Sequence, residues 1–337
     1  MSTSGPFSER VTTAVLLLLW QAKDALRDVT MQELLHKTLA PLPDVQQALS
    51  ILEARGCRLE RTPAGLRLAT TALACWGDVL EDVARRGNLR IGRRVMIFSR
   101  TTSTNDIAWQ CAADPSSDGL VVIADEQSAG RGRLGRTWSA KAGQSLLFSV
   151  LLRNDPHATD NLDRLTLLAG LATAVALERV SQNTSRAAPA FEMKWPNDLL
   201  IEGKKIAGIL VESRTSPDAV VIGVGINVTQ HAADFPPELQ GHATSLRIAG
   251  TNTIDRLAVA AELMNALNHY LSLPPENDTW LAEWKSRCGM LGRQVKLHSD
   301  NAIHEGVVTD VMPLHGLVLR DNSGVTRFFS ARRASLL

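Results

Sequence analysis

The chain has 337 residues, of which 45% are hydrophobic and 21% charged, and its formal net charge is +1. This length predicts about two or three domains with a sizeable core, and the composition excludes a fibrous or a wholly disordered protein. A net charge close to zero also excludes a strongly polybasic protein of the histone type. No apolar run reaches the ~18 residues of a transmembrane helix. The four cysteines form no CxxC pair, so we expect a protein of the reducing cytoplasm without disulfides or a zinc site.

Residues 1–70 predict three helices followed by a β-hairpin, which is the element order of a winged helix-turn-helix. The first helix is expected to begin with a cap at Ser8. The third helix, over DVQQALSILEARG, is expected to close at Gly56. Two short strands around residues 63–65 would form the wing. Residues 71–91 are predicted to form a connecting helix or linker.

Residues 92–286 mix strands with two strong helices, which predicts an α+β catalytic domain built on a central mixed sheet. The first helix is expected to start at a cap on Asp160, and the second to stop at Pro274 and Pro275. The segment DLLIEGKKIAGILVES predicts a hairpin that turns at Glu202 and Gly203.

Residues 287–337 contain four predicted strands, RQVKLHS, HEGVVTDV, LHGLVLRD and VTRFFSAR. Turn signals lie at Pro313, at Gly316 and at residues 322–324. A segment of strands and turns this short predicts a small β-barrel.

The sharpest local motif is GRGRLGRTW at residues 130–138, between two predicted strands. Its glycines let the backbone approach a ligand closely, and its arginines are suited to phosphate or carboxylate. A solvated loop or a nucleic-acid patch has the same composition, but the position between two strands favours a loop that closes over an anion. The motif is not a P-loop. Gly223 and Gly225 lack the third glycine of a dinucleotide-binding motif and are expected to be structural.

Two further segments carry polar groups in special positions. Lys205 begins an apolar strand, where it would lose hydration unless an anion met it, either a ligand or a neighbouring Asp or Glu. Ser103 and Thr104 precede the predicted helix NDIAWQCAA, which begins at Asn105. Helix capping alone would explain these three residues, but hydroxyls and an amide can also bind a neutral polar ligand.

Taken in order, STN, EQSAGRGRLGRTW, KWPNDLLIEGKKIAGILVE and GVGINV resemble the motifs of biotin–protein ligases. The resemblance is to the bacterial form, with an N-terminal winged helix-turn-helix, a class II synthetase-like catalytic domain and a C-terminal SH3-like barrel. It is strong over residues 95–230 and rests on pattern alone in the flanking segments. The domains would then span residues 1–70, 92–286 and 287–337, with residues 71–91 as the linker.

The resemblance implies an enzyme of the biotin–[biotin carboxyl-carrier protein] ligase type. Such an enzyme forms biotinyl-5′-AMP and pyrophosphate from biotin and ATP, and then transfers biotin to a lysine of a biotin carboxyl carrier domain, as in acetyl-CoA carboxylase. Biotin's carboxylate must approach a polyphosphate, and fixed cations and Mg²⁺ offset that repulsion. Some relatives form homodimers through the catalytic sheet, which the sequence does not decide.

The resemblance also assigns residues to roles. The biotin-binding residues would be Ser103, Thr104, Asn105, Gln127, Arg131, Gly132, Arg133 and Lys205. The ATP-binding residues would be Arg131, Arg133, Arg136, Trp138, Asn197 and Asn227. The catalytic residues would be Arg133, Lys205 and Asp198, with Lys205 meeting the carboxyl oxygen of biotin and Asp198 orienting the acceptor lysine. No residue is assigned to a metal.

Some relatives with this architecture also repress biotin-synthesis genes, but the predicted third helix departs from a DNA-reading helix. It starts with Asp44 and has no Lys or Arg before Arg55. Residues 1–90 contain 11 Lys and Arg against 10 Asp and Glu, whereas a DNA-binding domain shows a basic face. We therefore expect weak or absent operator binding, against which stand Arg58, Arg61 and Arg67 of the wing. A biotin-responsive regulator and a ligase acting on lipoate or octanoate are the alternatives.

Overall fold

A computed structural model describes residues 6–25, 27–153, 162–182, 189–215, 218–251, 255–274, 276–300, 302–312, 314–330 and 334–336. The chain divides into two compact units, Met1–Ile97 and Phe98–Leu337. Within the described ranges, no helix is both long enough and apolar enough to cross a membrane.

The first unit has the predicted order of three helices and a hairpin, and a fourth helix follows. Its elements are α1 (Pro6–Asp24), α2 (Met31–Thr38), α3 (Leu42–Ala54), β1 (Arg58–Thr62), β2 (Gly65–Thr70) and α4 (Trp76–Arg86). The prediction of a cap at Ser8 was wrong, because α1 already begins at Pro6. Proline is favoured in the first turn, where its missing N–H would have no partner in any case.

The hairpin of the first unit is held against the segment between α1 and α2. The backbone groups of Val29 and Leu66 exchange two hydrogen bonds of 2.8 Å. Gly65 has a φ of +147°, and a Cβ there would lie 2.4 Å from the carbonyl oxygen of Val29. Only glycine fits this turn, so the position of the hairpin depends on one residue without a side chain.

The second unit is built on a seven-stranded sheet. Its strands are β3 (Val95–Thr101), β4 (Val121–Gln127), β5 (Ser145–Arg153), β6 (Glu192–Lys194), β7 (Asp198–Ile201), β8 (Lys204–Thr215) and β9 (Asp218–Asn227). The strand order is β3-β4-β5-β9-β8-β7-β6, and the pairings from β4 to β6 are antiparallel. Beyond β3 and β4, the N–H groups of Ser128 and Ala129 donate to the carbonyls of Thr101 and Thr102. The residue numbers increase in the same direction on both sides of these two hydrogen bonds, as they do between parallel strands. The sheet therefore combines parallel and antiparallel neighbours, and the predicted mixed sheet is confirmed.

Four helices accompany this sheet. They are α5 (Thr104–Cys111), α6 (Leu162–Gln182), α7 (Arg256–Leu271) and α8 (Thr279–Ser286). Helices α5 and α7 both contact β5, and every residue of β5 except its last is buried. This explains why SLLFSVLL reads as a continuous apolar run rather than as an alternating strand. The predicted cap at Asp160 lies outside the described residues, and α7 ends three residues before Pro274, as expected.

The hairpin predicted at Glu202 and Gly203 is confirmed. It joins β7 to β8, and both turn residues have positive φ, 50° and 76°. Two such residues make the tight turn that suits the twist of paired strands. The hairpin places Lys205 second in β8, one residue beyond Lys204, and Asp198 at the far end of the partner strand.

The end of the chain forms a five-stranded antiparallel sheet. Its strands are β10 (Gln294–Ser299), β11 (Ala302–Met312), β12 (Gly316–Arg320), β13 (Thr326–Ser330) and β14 (Ala334–Leu336). The order is β13-β12-β11-β10-β14, so the four predicted strands are present and β14 was missed. The predicted turn residue Pro313 lies outside the described residues, whereas Gly316 is present at the start of β12, with a φ of +158°.

The central sheet should dominate the stability of the second unit. Ile222 of β9 is fully buried and lies opposite Val150 of β5 and Val211 of β8. Replacing Ile222 with alanine should lower the free energy of unfolding by about 2–5 kcal/mol, because the sheet cannot collapse into the cavity left behind. Urea denaturation followed by tryptophan fluorescence measures this. The control is Ile303→Ala, at a strand residue that is 65% exposed; an equal loss in both variants would contradict the prediction.

Candidate active site

A cavity of about 390 Å³ lies over the central sheet, between the start of α5, the loop at residues 130–139 and the β7–β8 hairpin. All thirteen residues that the sequence assigned to a site line it. They are Ser103, Thr104, Asn105, Gln127, Arg131, Gly132, Arg133, Arg136, Trp138, Asn197, Asp198, Lys205 and Asn227. The structure therefore brings four separate sequence motifs to one place.

The charge on the cavity wall is strongly unbalanced. Among the described residues that line it, five are lysine or arginine and only one, Asp198, carries a carboxylate. The cations are Arg131, Arg133, Arg136, Lys194 and Lys205. Such a wall attracts an anionic ligand and stabilises negative charge that develops inside it. The sequence motifs included Lys194, but no role was assigned to it.

The cavity wall also carries a cluster of uncharged polar groups, at the start of α5 and the end of β4. The backbone N–H and the hydroxyl of Thr104 donate to Oε1 of Gln127, over 2.7 and 3.0 Å. Ser103 precedes α5 in the cap position, yet its side chain makes no capping hydrogen bond. Capping therefore does not account for its hydroxyl. Buried hydroxyl and amide groups of this kind can bind a neutral ligand group through paired donors and acceptors.

Gly223 and Gly225 of β9, expected to be structural, form part of the cavity wall. A Cβ on Gly223 would lie 2.5 Å from Oδ1 of Asn105, and a Cβ on Gly225 would lie 2.5 Å from Cε2 of Trp138. No side chain approaches another that closely, so these two positions make room for Asn105 and for the indole of Trp138.

The glycine- and arginine-rich loop folds back on itself. The N–H of Gly132 donates to the carbonyl of Arg136 over 2.7 Å, and the N–H of Trp138 donates to that of Gly130 over 3.0 Å. Leu134, at the tip, is 69% exposed. Arg133 points back toward the sheet, where its guanidinium donates to Oδ1 of Asn197 over 3.3 Å. Burial lowers the pKa of Arg133, and an anion in the cavity would offset that cost of desolvation.

Lys205 meets an anion of the protein itself. Its Nζ lies 2.6 Å from Oδ1 of Asp198 and 5.6 Å from the ring centre of Trp138. Its backbone is fixed as well, since its N–H donates to the carbonyl of His242 over 2.8 Å and its carbonyl accepts from the N–H of Thr244 over 2.9 Å. The sequence left two alternatives for the anion that meets Lys205, a ligand or a neighbouring Asp or Glu. In the structure the anion is the carboxylate of Asp198.

Sequence reasoning missed two residues beside the cavity. The hydroxyl of Ser149 lies 2.7 Å from that of Thr104 and 2.6 Å from Oδ1 of Asn105. Oε2 of Glu212 accepts from Nδ2 of Asn105 over 2.7 Å. The one available signal for Ser149 was a hydroxyl in the middle of an apolar strand.

Comparison with known proteins identifies the family of the chain. A profile of the biotin/lipoate A/B protein ligase family matches residues 97–227. The bifunctional ligase/repressor BirA of Bacillus subtilis is 32% identical over 246 residues, which cover 72% of this chain and 74% of that protein. The chain belongs to the biotin–protein ligase family. A biotin–[acetyl-CoA-carboxylase] ligase of Mycobacterium tuberculosis is 35% identical over 207 residues, which cover 61% of this chain and 74% of that protein.

Solved structures of biotin–protein ligases share the fold. The enzyme from Aquifex aeolicus, determined in complex with biotin and ATP, has 28% sequence identity and a TM-score of 0.61. The similarity covers 72% of this chain and 98% of that chain.

The close approach at Gly225 can be tested directly in this biotin–protein ligase. Gly225→Ala should destabilise the fold by about 1–3 kcal/mol, because the added methyl must displace the indole of Trp138 or bend β9. Gly132→Ala is the control in the same site, since a Cβ there would meet nothing nearer than 3.5 Å. Thermal unfolding should separate the two variants. Equal melting temperatures would show that the indole moves freely.

Proposed function

We propose that the chain is an ATP-dependent biotin–protein ligase, which forms biotinyl-5′-AMP and transfers biotin to a lysine of a biotin carboxyl carrier domain. The observation that carries the proposal is that one cavity combines a cluster of uncharged hydroxyl and amide groups with five cationic side chains. Biotin has a neutral ureido ring and a carboxylate, and ATP adds a polyphosphate. The uncharged groups suit the ureido ring of biotin, and the cations suit the carboxylate of biotin and the polyphosphate of ATP.

The ureido ring would be held by Ser103, Thr104 and Gln127, which combine uncharged hydroxyl and amide groups in one cluster. These residues lie on the start of α5 and the end of β4, so their positions are set by regular structure. Ser103 and Thr104 are buried, and a bound ring would there be shielded from water.

The first half-reaction brings the carboxylate of biotin to the α-phosphate of ATP. Lys205, Arg131 and Arg133 would offset the repulsion between these anions and stabilise the charge that develops as the new bond forms. Asn197, Arg136, Trp138 and Asn227 would contact the nucleotide. The loop at residues 130–138 would cover the reactive adenylate and slow its hydrolysis.

Asp198 would serve the second half-reaction, in which the acceptor lysine attacks the adenylate. The ion pair between Asp198 and Lys205 keeps this carboxylate at the cavity wall. When the carboxyl group of biotin binds Lys205, it would replace Asp198 as the partner of that ammonium group. Asp198 would then be able to orient the incoming ammonium group of the acceptor lysine or accept its proton.

Mg²⁺ enters the proposal with ATP. Asp198 is the one carboxylate among the described residues of the cavity wall, and Lys205 occupies it. No group of three or more His, Cys, Asp or Glu side chains within the described ranges could hold a metal ion. A cavity wall with a single carboxylate fits a Mg²⁺ ion that is bound mainly by phosphate oxygens and water, rather than by several protein side chains. When bound there, Mg²⁺ would neutralise phosphate charge.

The flanking parts of the chain complete the proposed architecture. We take the helices and hairpin of residues 1–70 as a winged helix-turn-helix, residues 71–91 as a linker that contains α4, and residues 92–286 as the catalytic domain. The five-stranded sheet within residues 287–337 is proposed as an SH3-like barrel. The order and number of the strands support this assignment.

The test is pyrophosphate release from MgATP, with and without biotin and with and without a purified carrier domain. Lys205→Met should slow biotin-dependent release about 10²-fold, since it removes a charge that faces the reacting groups. Lys204→Met is the matched control, because the neighbouring Lys204 is exposed and should keep the rate within about twofold. An unchanged rate in Lys205→Met would remove its assigned role.

The same assay separates the alternatives. Release with lipoate or octanoate but not with biotin would place the chain with the related acyl ligases. No pyrophosphate release with any of these acids would favour a biotin-responsive regulator, in which the first unit would bind DNA.

The cations of the hairpin are already paired within the first unit. Arg58 lies 3.5 Å from Glu60, Arg61 lies 3.2 Å from Glu53, and Arg67 lies 2.7 Å from Asp28. Hydrogen bonds from Thr62, and also from Arg67, lower the pKa of Asp28. Each arginine would have to leave a carboxylate before it could neutralise a phosphate, so we propose that binding to operator DNA is weak.

A gel shift with the upstream region of biotin-synthesis genes tests this. No sequence-specific band is expected, with or without biotinyl-5′-AMP, at ordinary salt concentrations. A specific band that weakens steeply with added salt would contradict the prediction and restore the repressor role.

A further inference from the structure

One carboxylate, that of Glu212, contacts both Asn105 at the start of α5 and Arg131 of the glycine- and arginine-rich loop. Its Oε2 accepts from Nδ2 of Asn105 over 2.7 Å. The guanidinium of Arg131 lies 3.4 Å from both of its oxygens. Glu212 belongs to β8, a central strand of the sheet, and does not itself line the cavity. It is therefore well placed to act through other residues.

The side chain of Asn105 is held at both ends. Its Oδ1 accepts from the hydroxyl of Ser149 over 2.6 Å, and its Nδ2 donates to Glu212. The side chain is buried against Gly223, whose missing Cβ leaves the space that it occupies. Rotating the amide would place its oxygen against the carboxylate and break the hydrogen bond to Glu212, which can only accept. Glu212 thus fixes which atom of Asn105 faces which neighbour.

Arg131 is held from two sides as well. Its guanidinium contacts Oδ1 of Asp106 over 2.8 Å, besides its contact with Glu212. Its backbone pairs with Thr137 across the loop. Fixing the side chain of Arg131 to α5 and β8 therefore fixes one side of the folded-back loop to the rigid part of the site.

We propose that Glu212 is a positioning residue, which acts through Arg131 and Asn105 to hold the loop at residues 130–138 against the start of α5. The claim that Glu212 holds the loop does not depend on the reaction that the protein catalyses. The expected consequence is slower escape of the adenylate and of biotin, and this part rests on the proposed function.

The loop carries three arginines, so trypsin reports how firmly it is held. Glu212→Gln keeps an oxygen that can accept from Asn105 but removes the charge that attracts Arg131. Cleavage after Arg131, Arg133 and Arg136, identified by mass spectrometry without substrates, should become about two- to fivefold faster, the range expected for one partly exposed ion pair. The matched control is Glu262→Gln on α7, which removes the charge of Glu262 from its surface ion pair with Arg179 of α6 and should leave loop cleavage unchanged.

Salt separates an electrostatic role from a merely structural one. At about 1 M salt the screening length falls to about 3 Å, and the cleavage rate of the unaltered protein should rise to that of Glu212→Gln. Equal cleavage rates at low salt, or equal acceleration in Glu262→Gln, would overturn the proposal. Because this assay needs no activity, it stands even if the chain proves not to join biotin to ATP.

The kinetic consequence is measured separately. In Glu212→Gln the KM for biotin should rise, and biotinyl-5′-AMP should leave the enzyme about two- to fivefold faster. The kcat of pyrophosphate release should change less, because a looser loop weakens substrate and transition state alike. A fall in kcat with an unchanged KM would show that Glu212 acts on the chemistry rather than on the position of the loop.

Discussion

Keeping five cationic side chains around one partly dehydrated cavity is the constraint on which the rest of the site depends. Like charges repel more strongly as water is excluded, and each guanidinium or ammonium group loses hydration there. Carboxylates beside individual cations reduce this repulsion. Asp198 lies against Lys205 inside the cavity, and Asp106 and Glu212 hold Arg131 at its edge.

The uncharged groups and several of the cations of the cavity lie on different kinds of structure. The uncharged residues lie on the start of α5 and the end of β4, beside a strand that is buried almost throughout. Several cations lie instead on a loop whose tip is exposed. This division suits a ligase that must recognise a neutral ring accurately and yet admit a nucleotide, close over an adenylate and open again.

The glycines follow the same division. On β9, Gly223 and Gly225 provide space for Asn105 and Trp138, so the backbone of the sheet forms the floor of the cavity. On the loop, a Cβ on Gly130 would lie 2.5 Å from the carbonyl oxygen of Trp138. Gly223 and Gly225 are needed for the space that they leave to other side chains, and Gly130 for the close approach of two backbone segments.

Much of this protein could be predicted from its sequence, because the signals are local. Periodicity predicted the three helices and hairpin of the first unit, the mixed sheet and four of the five C-terminal strands. The thirteen residues that the family resemblance assigned to a site all line one cavity. The tertiary structure alone decided the partners of those residues. That Lys205 meets Asp198, and that Glu212 meets both Asn105 and Arg131, depends on the register of β8 against β7 and on contacts between residues up to 107 positions apart. A sequence pattern specifies which side chains share a face of one element, but the pairing of charges between elements is set only when the strands pack.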